Sequence, residues 1–171
     1  MKVKSILLMV LALSLVGAGA AWGVQATADV KVAATVSSSA KLTLATSSIT
    51  FPDADPDTVK SIPANENGAL VTAKVKTGSS TPATLKILAA DDLKSGSDTI
   101  PIANVTSTAT NTSGSFFSAG PVAWSKTSPG ATVGQGKSGS YTGTFSWFLV
   151  NDWNYATGSY TASATYTLLV P

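Results

Sequence analysis

Residues 140–149 read SYTGTFSWFL and residues 158–171 read GSYTASATYTLLVP. In the first, Tyr141, Gly143, Phe145, Trp147 and Leu149 alternate with Ser140, Thr142, Thr144 and Ser146. In the second, Tyr160, Ala162, Ala164, Tyr166, Leu168 and Val170 alternate with Thr161, Ser163, Thr165 and Thr167. A period of two places one set on a buried face and the other in solvent, the pattern of a half-buried β-strand. Aromatic and β-branched side chains suit that pleated surface. NDWNYATG (residues 151–158) joins the two runs. It is too short for a helical crossover and predicts that the two strands are antiparallel neighbours.

The same alternation recurs upstream. Val30, Val32, Ala34 and Val36 read as a strand, and residues 41–44 and 48–51 as shorter ones. Ala69, Val71, Ala73 and Val75 share one face, with Thr72, Lys74 and Lys76 on the other. Ala83, Leu85, Ile87 and Ala89 repeat the pattern, with Lys86 toward solvent. Turn-rich stretches punctuate these runs: FPDADPDT (51–58), PANENG (63–68), TGSSTP (77–82), LKSGSD (93–98) and TSPG (127–130). No long stretch has helical periodicity. The expectation is an all-β chain: an immunoglobulin-like β-sandwich of seven to nine antiparallel strands, in one domain over residues 27–171.

Residues 1–26 read as a signal peptide. Lys2 and Lys4 precede an apolar run, Ile6–Val16, and a small-residue stretch. The apolar run is shorter than the roughly 20 residues a membrane span needs. Cleavage after Ala20 or after Ala26 fits a small-residue rule, and predicts a secreted or cell-surface protein that passes the periplasm in transit and keeps no membrane span. Without Lys2 and Lys4, eleven lysines become nine, against nine acidic residues, for a mature net charge of zero. There is no arginine, hence no bidentate fork for phosphate or guanine, and nucleic acid is not an expected partner. No cysteine is present, so neither disulfides nor a lipidated cysteine contribute.

Enzyme chemistry finds little to work with. Without His and Cys, neither nucleophile–histidine catalysis nor zinc–histidine sites can be built. Glu66 is the single glutamate and sits in a turn. ATVGQGKS (131–138) fits a loose Walker A pattern and GQGKSG (134–139) spells G-x-G-x-x-G. Both need a helix after the glycines to present amides to phosphate. SYTGTFSWF follows instead, so a glycine-rich hairpin connection is expected and no nucleotide. SSAK (38–41) and KTG (76–78) match fragments of the β-lactamase signature, but in a strand context and not at the start of a helix. The expectation is a non-enzymatic protein with no catalytic residues and no cofactor.

Two sets of residues invite ligands. Asp53, Asp55 and Asp57 give the D-x-D-x-D opening of a calcium loop, but Pro56, Thr58 and Ala64 stand where the rest of that loop needs other residues. The main reading is a turn fixed by Pro52 and Pro56 and capped by its own aspartates. Ca²⁺ shared with Asp91, Asp92 and Asp98 is the alternative. Among the aromatics, Trp147 falls on a core face. Trp153 and Tyr155, in the loop after it, are the candidates for stacking on a carbohydrate or cell-wall polymer, or else they plug the end of the sandwich.

The closing stretch, Gly158 to Pro171, resembles the last strand of small exported bacterial surface proteins of the spore-coat-U and chaperone–usher pilin type. Those end in Gly-x-Tyr followed by alternating small, Thr and apolar residues. Val170 stands where pilins carry a penultimate aromatic. The resemblance implies a structural or adhesive subunit that assembles with itself or other surface subunits by donor-strand exchange, with a periplasmic chaperone as a transit partner. TADVKVAATV (27–36) then supplies the donor plugs Val30, Val32, Ala34 and Val36, and Tyr160, Tyr166 and Leu168 belong to the acceptor edge. The ending is also similar to the WxL cell-wall-binding domain, with Tyr166-Thr167-Leu168 in place of Trp-x-Leu. This implies the alternative function of a carbohydrate or cell-wall binding module.

Overall fold

The computed structural model describes residues 28–78 and 80–171. The signal-peptide reading of residues 1–26 lies outside them. The described residues contain eleven strands: β1 (Ser39–Leu44), β2 (Ser61–Pro63), β3 (Ala69–Lys76), β4 (Ala83–Ala89), β5 (Leu93–Ser95), β6 (Asp98–Ile100), β7 (Val105–Ser113), β8 (Val122–Ala123), β9 (Ala131–Gly136), β10 (Gly139–Val150) and β11 (Ala164–Leu169). Seven have six residues or more; the extra strands beyond the expected seven to nine are pairings of two or three residues. The only helical element among the described residues is a 3-10 turn, Ile102–Asn104.

All pairings are antiparallel. One sheet runs β1-β3-β10-β7-β8, with β2 beside the end of β10; a second runs β11-β4-β9; β5 and β6 form a small hairpin. The two main sheets pack together as an all-β, sandwich-like fold over residues 35–171.

The expected faces are the faces found. Val71, Ala73 and Val75 of β3, Ala83, Leu85, Ile87 and Ala89 of β4, and Phe145, Trp147 and Leu149 of β10 are all buried in one core. Gly143 faces inward where a Cβ would sit 2.7 Å from the carbonyl oxygen of Thr110, so glycine is required by close packing. Asn111 anchors the segment after β7. Its side-chain oxygen accepts from the backbone N–H of Phe117 (3.0 Å) and its Nδ2 donates to the Phe117 carbonyl (2.8 Å), seating Phe116 and Phe117 in the core.

Five expectations are corrected. β10 and the C-terminal strand are not neighbours: they lie in opposite sheets, and β11 pairs with β4. Alternation says which face of a strand is buried, not which strand lies beside it. β11 also begins at Ala164; between Tyr160 and Ser163 the ladder is reduced to a single bridge, Thr161 with Lys94. Residues 28–38 contain no strand, and Val30, Val32 and Val36 are 83%, 89% and 70% exposed. Residues 48–51 also form no strand, although Ile49 and Phe51 pack on the core and Glu66 accepts from the Thr50 N–H at 2.8 Å. Finally, GQGKSG is not a hairpin. β9 and β10 belong to different sheets, so Lys137 and Ser138 turn a corner between layers. Gly134 and Gly136 admit the Phe116 ring, which a Cβ would meet at 2.8 and 2.6 Å.

Candidate functional site

The FPDADPDT segment is a closed turn. The carbonyl of Asp55 accepts from the N–H groups of Thr58 (3.1 Å) and Val59 (2.9 Å). Its carboxylate accepts from the N–H of Asp57 at 2.9 Å, the self-capping that Asp gives a turn. Asn151, at the end of β10, clamps the turn from outside. Its Nδ2 donates to the carbonyls of Ala54 (3.0 Å) and Val59 (2.9 Å). Asp57 accepts from the indole N–H of Trp153 at 3.1 Å and has Lys60 at 3.9 Å.

The second acidic group is held by lysines. Lys94 donates to Asp91, while Lys126 bonds Asp92 and lies 3.8 Å from Asp91. The remaining oxygen of Asp92 accepts from the Ile102 N–H at 2.9 Å. The bonds from Lys94 and Lys126 hold the Asp91 and Asp92 carboxyls below their ordinary range, and Asp92 raises the Lys126 ammonium. Asp98 stands apart, exposed at the start of β6. Among the described residues no three carboxylates are grouped to hold a metal ion. Asp55 caps its own turn, Asp57 takes the Trp153 indole N–H, and Asp91 and Asp92 are ion-paired, while Asp53 and Asp98 are exposed.

The loop aromatics divide. Tyr155 packs against the core and its hydroxyl accepts from Asn104 Nδ2 at 2.7 Å; burial raises its pKa. It plugs the end of the sandwich. Trp153 is 67% exposed, with its N–H held by Asp57. One indole is thus fixed in direction with its surface open to solvent.

The last site is an edge. β11 pairs with β4 on one side only, and among the described residues its other side has no backbone partner along Ala164–Leu169. β1 ends the other sheet in the same way. The two edges meet where Ser38 Oγ donates to the Pro171 carbonyl at 3.2 Å. At their other ends, Leu44 and Ala164 line a cavity of about 670 Å³. Its apolar lining includes Val105, Trp124, Leu149 and Tyr166, and Tyr160 stands at the same cavity. Leu168 packs inward from β11, whereas Thr165, Thr167 and Leu169 face outward. Asn151, Asn111 and the meeting of Ser38 with Pro171 were not legible from sequence, because each depends on a backbone group brought near only by the fold. No family model, curated protein or solved structure matches the chain.

Proposed function

We propose that the chain is a secreted, non-enzymatic structural or adhesive surface subunit that assembles through strand pairing at its β1 and β11 edges. The observation that carries this reading is the outer edge of β11. It is six residues long and contains neither a charge nor a proline, and sheets normally cover or charge such an edge. The segment around Val30, Val32, Ala34 and Val36 is its complement: a strand pattern whose valines are exposed and which forms no strand among the described residues. Laid on β11 of a second copy, residues 27–36 supply the missing hydrogen bonds and bury their apolar side chains. Tyr160, Tyr166 and Leu168 belong to the receiving side. A periplasmic chaperone covering the same edge in transit fits this scheme.

Light scattering and electron microscopy test it. The mature protein is expected to form polymers, and deletion of residues 27–36 to leave monomers or aggregates with an unprotected edge. The pair Thr165→Lys and Thr167→Lys, which charges the receiving edge, should also block assembly. A deletion variant that assembles normally and melts at the parent's temperature sinks the proposal.

Trp153 favours a second reading, a carbohydrate or cell-wall binding module, because its exposed indole is held in place by Asp57. Retention on insoluble polysaccharide or peptidoglycan that is lost in Trp153→Ala supports it; equal retention removes it.

A further inference from the structure

The charges of residues 35–171 are sorted by end of the sandwich. This stretch carries eight lysines and eight acidic side chains and is neutral overall. At one pole β1 begins, β3 ends and β10 begins, and the Lys137–Ser138 corner joins β9 to β10. Lys41, Lys74, Lys76 and Lys137 stand there, all exposed, with no acidic side chain among them. The opposite pole holds the FPDADPDT turn clamped by Asn151, Asp91 and Asp92 after β4, and Asp98 and Asp152. It has seven aspartates and three lysines, Lys60, Lys94 and Lys126, so four carboxylates are in surplus. Lys86 in the middle of β4 and Glu66 beside the middle of β10 lie between the poles.

The two ends treat their lysines differently. Lys60, Lys94 and Lys126 are each ion-paired. Among the described residues none of Lys41, Lys74, Lys76 and Lys137 is. Lys41 instead stands directly opposite Lys74 in the ladder, with Lys76 two residues along. Like charges directly opposite each other destabilise a strand pair. Lys41, Lys74 and Lys76 line one open hollow together with Ser39 and Ser140. The molecule's own surplus carboxylates are too far away to relieve them. The twelve residues of β10, at about 3.3 Å each, set the poles roughly 36 Å apart. Screening in physiological salt acts over about 8 Å, so one pole does not neutralise the other. Only a second body can.

We propose that the lysine pole is a docking surface for the aspartate pole of a second copy, so that subunits stack end to end along the strand direction. Four surplus charges of one sign then meet four of the other. Overall neutrality removes the long-range repulsion that copies of one net sign feel. A contact between unlike ends is heterologous, and it repeats into an open chain where the rotation does not close a ring. A free polyanion fits less well. It uses the lysine pole alone, leaves the aspartate surplus unpaired, and finds no arginine fork to hold it. The contact uses neither residues 27–36 nor the β11 edge, and so does not rest on the strand-pairing reading.

Light scattering of the mature protein tests it. The scattering mass should be higher at about 10 mM salt, where charges reach about 30 Å, than at about 1 M, where they reach about 3 Å. Lys74→Glu with Lys76→Glu cancels the surplus at one pole, and Asp53→Lys with Asp98→Lys cancels it at the other. All four residues are exposed, so circular dichroism should show both variants folded. Either variant alone should lose the salt-dependent association. Mixed, each still offers one intact pole, and association should return but stop at pairs. No salt-dependent association in the parent overturns the proposal, as does parent-like association of either variant or failure of the mixture to pair. Polyphosphate binding that is lost in the lysine variant, without self-association of the parent, assigns the lysine pole to a polyanion and also overturns it. Deleting residues 27–36 removes one charge of each sign and should leave the salt-dependent contact intact, which separates this result from failure of the strand-pairing reading.

Discussion

The indole N–H of Trp147 donates to the hydroxyl of Tyr166 at 2.9 Å, joining two strands that lie in different sheets. The Tyr166 ring also stacks on Phe145, with centroids 5.6 Å apart, and meets Trp124 edge to face at 6.5 Å. One tyrosine therefore ties β11 to the aromatic centre of the opposite layer. Tyr166→Phe keeps the stacking but leaves the fully buried Trp147 with an unpartnered donor. A loss of about 1–3 kcal/mol is expected, measured by denaturant unfolding. An unchanged midpoint shows that the bond contributes nothing to the joint between layers.

The same residue sets an alkaline limit. Burial pushes the Tyr166 hydroxyl from an ordinary 10.0 to about 12, so the folded state keeps its proton where the unfolded chain has lost it. A pKa raised on folding contributes stability below pH 10 that is lost as pH rises through 12. Roughly 3 kcal/mol should disappear across that window, from about 1.4 kcal/mol per pH unit. Melting temperatures should fall more steeply above pH 10 in the parent than in Tyr166→Phe, and the latest-titrating tyrosinate in the absorbance should be lost in that variant.

Ser107 of β7 points into the core, 2% exposed, with no hydrogen-bond partner for its hydroxyl among the described residues. A buried hydroxyl without a partner costs about 1–3 kcal/mol of desolvation. Ser107→Ala should hold stability level or raise it by up to about 1 kcal/mol, against the usual trend for core substitutions. A clear drop in the unfolding midpoint contradicts this.

Gly143 and Gly120 make a matched pair. A methyl at Gly143 meets the Thr110 carbonyl at 2.7 Å and the Phe117 ring at 3.0 Å, whereas one at Gly120 meets nothing within 4 Å. Gly143→Ala should destabilise by about 1–3 kcal/mol through overpacking. Gly120→Ala should be near neutral, so equal midpoints for the two variants reject the packing argument.

The faces of β3, β4 and β10 were readable because burial imposes a period of two on any strand with one wet side. The neighbour of each strand was not. β10 and β11 carry the same alternation whether paired or stacked, and Tyr166 facing Trp147 across the layers satisfies both. Val30–Val36 shows the converse: alternation marks an ability to form a strand, and a strand forms only where a partner edge is present. Asp55 of FPDADPDT was readable as a turn former because it acts on residues two to four places away. The amide of Asn151 closes the same turn from more than ninety residues along the chain, a distance no local pattern encodes.

β10 has one further property, which concerns time and not space. It is the middle strand of its sheet, yet it occupies residues 139–150, after most of the sheet it joins. β3 and β7 do not touch each other in the ladder; each waits for β10. As the chain is made, β3 and β7 each have one side vacant until residues 139–150 follow, and the layer can close only after β10 is present. The order of residues thus lets β1–β3 and β7–β8 pair early but makes the joining of these two halves wait for β10.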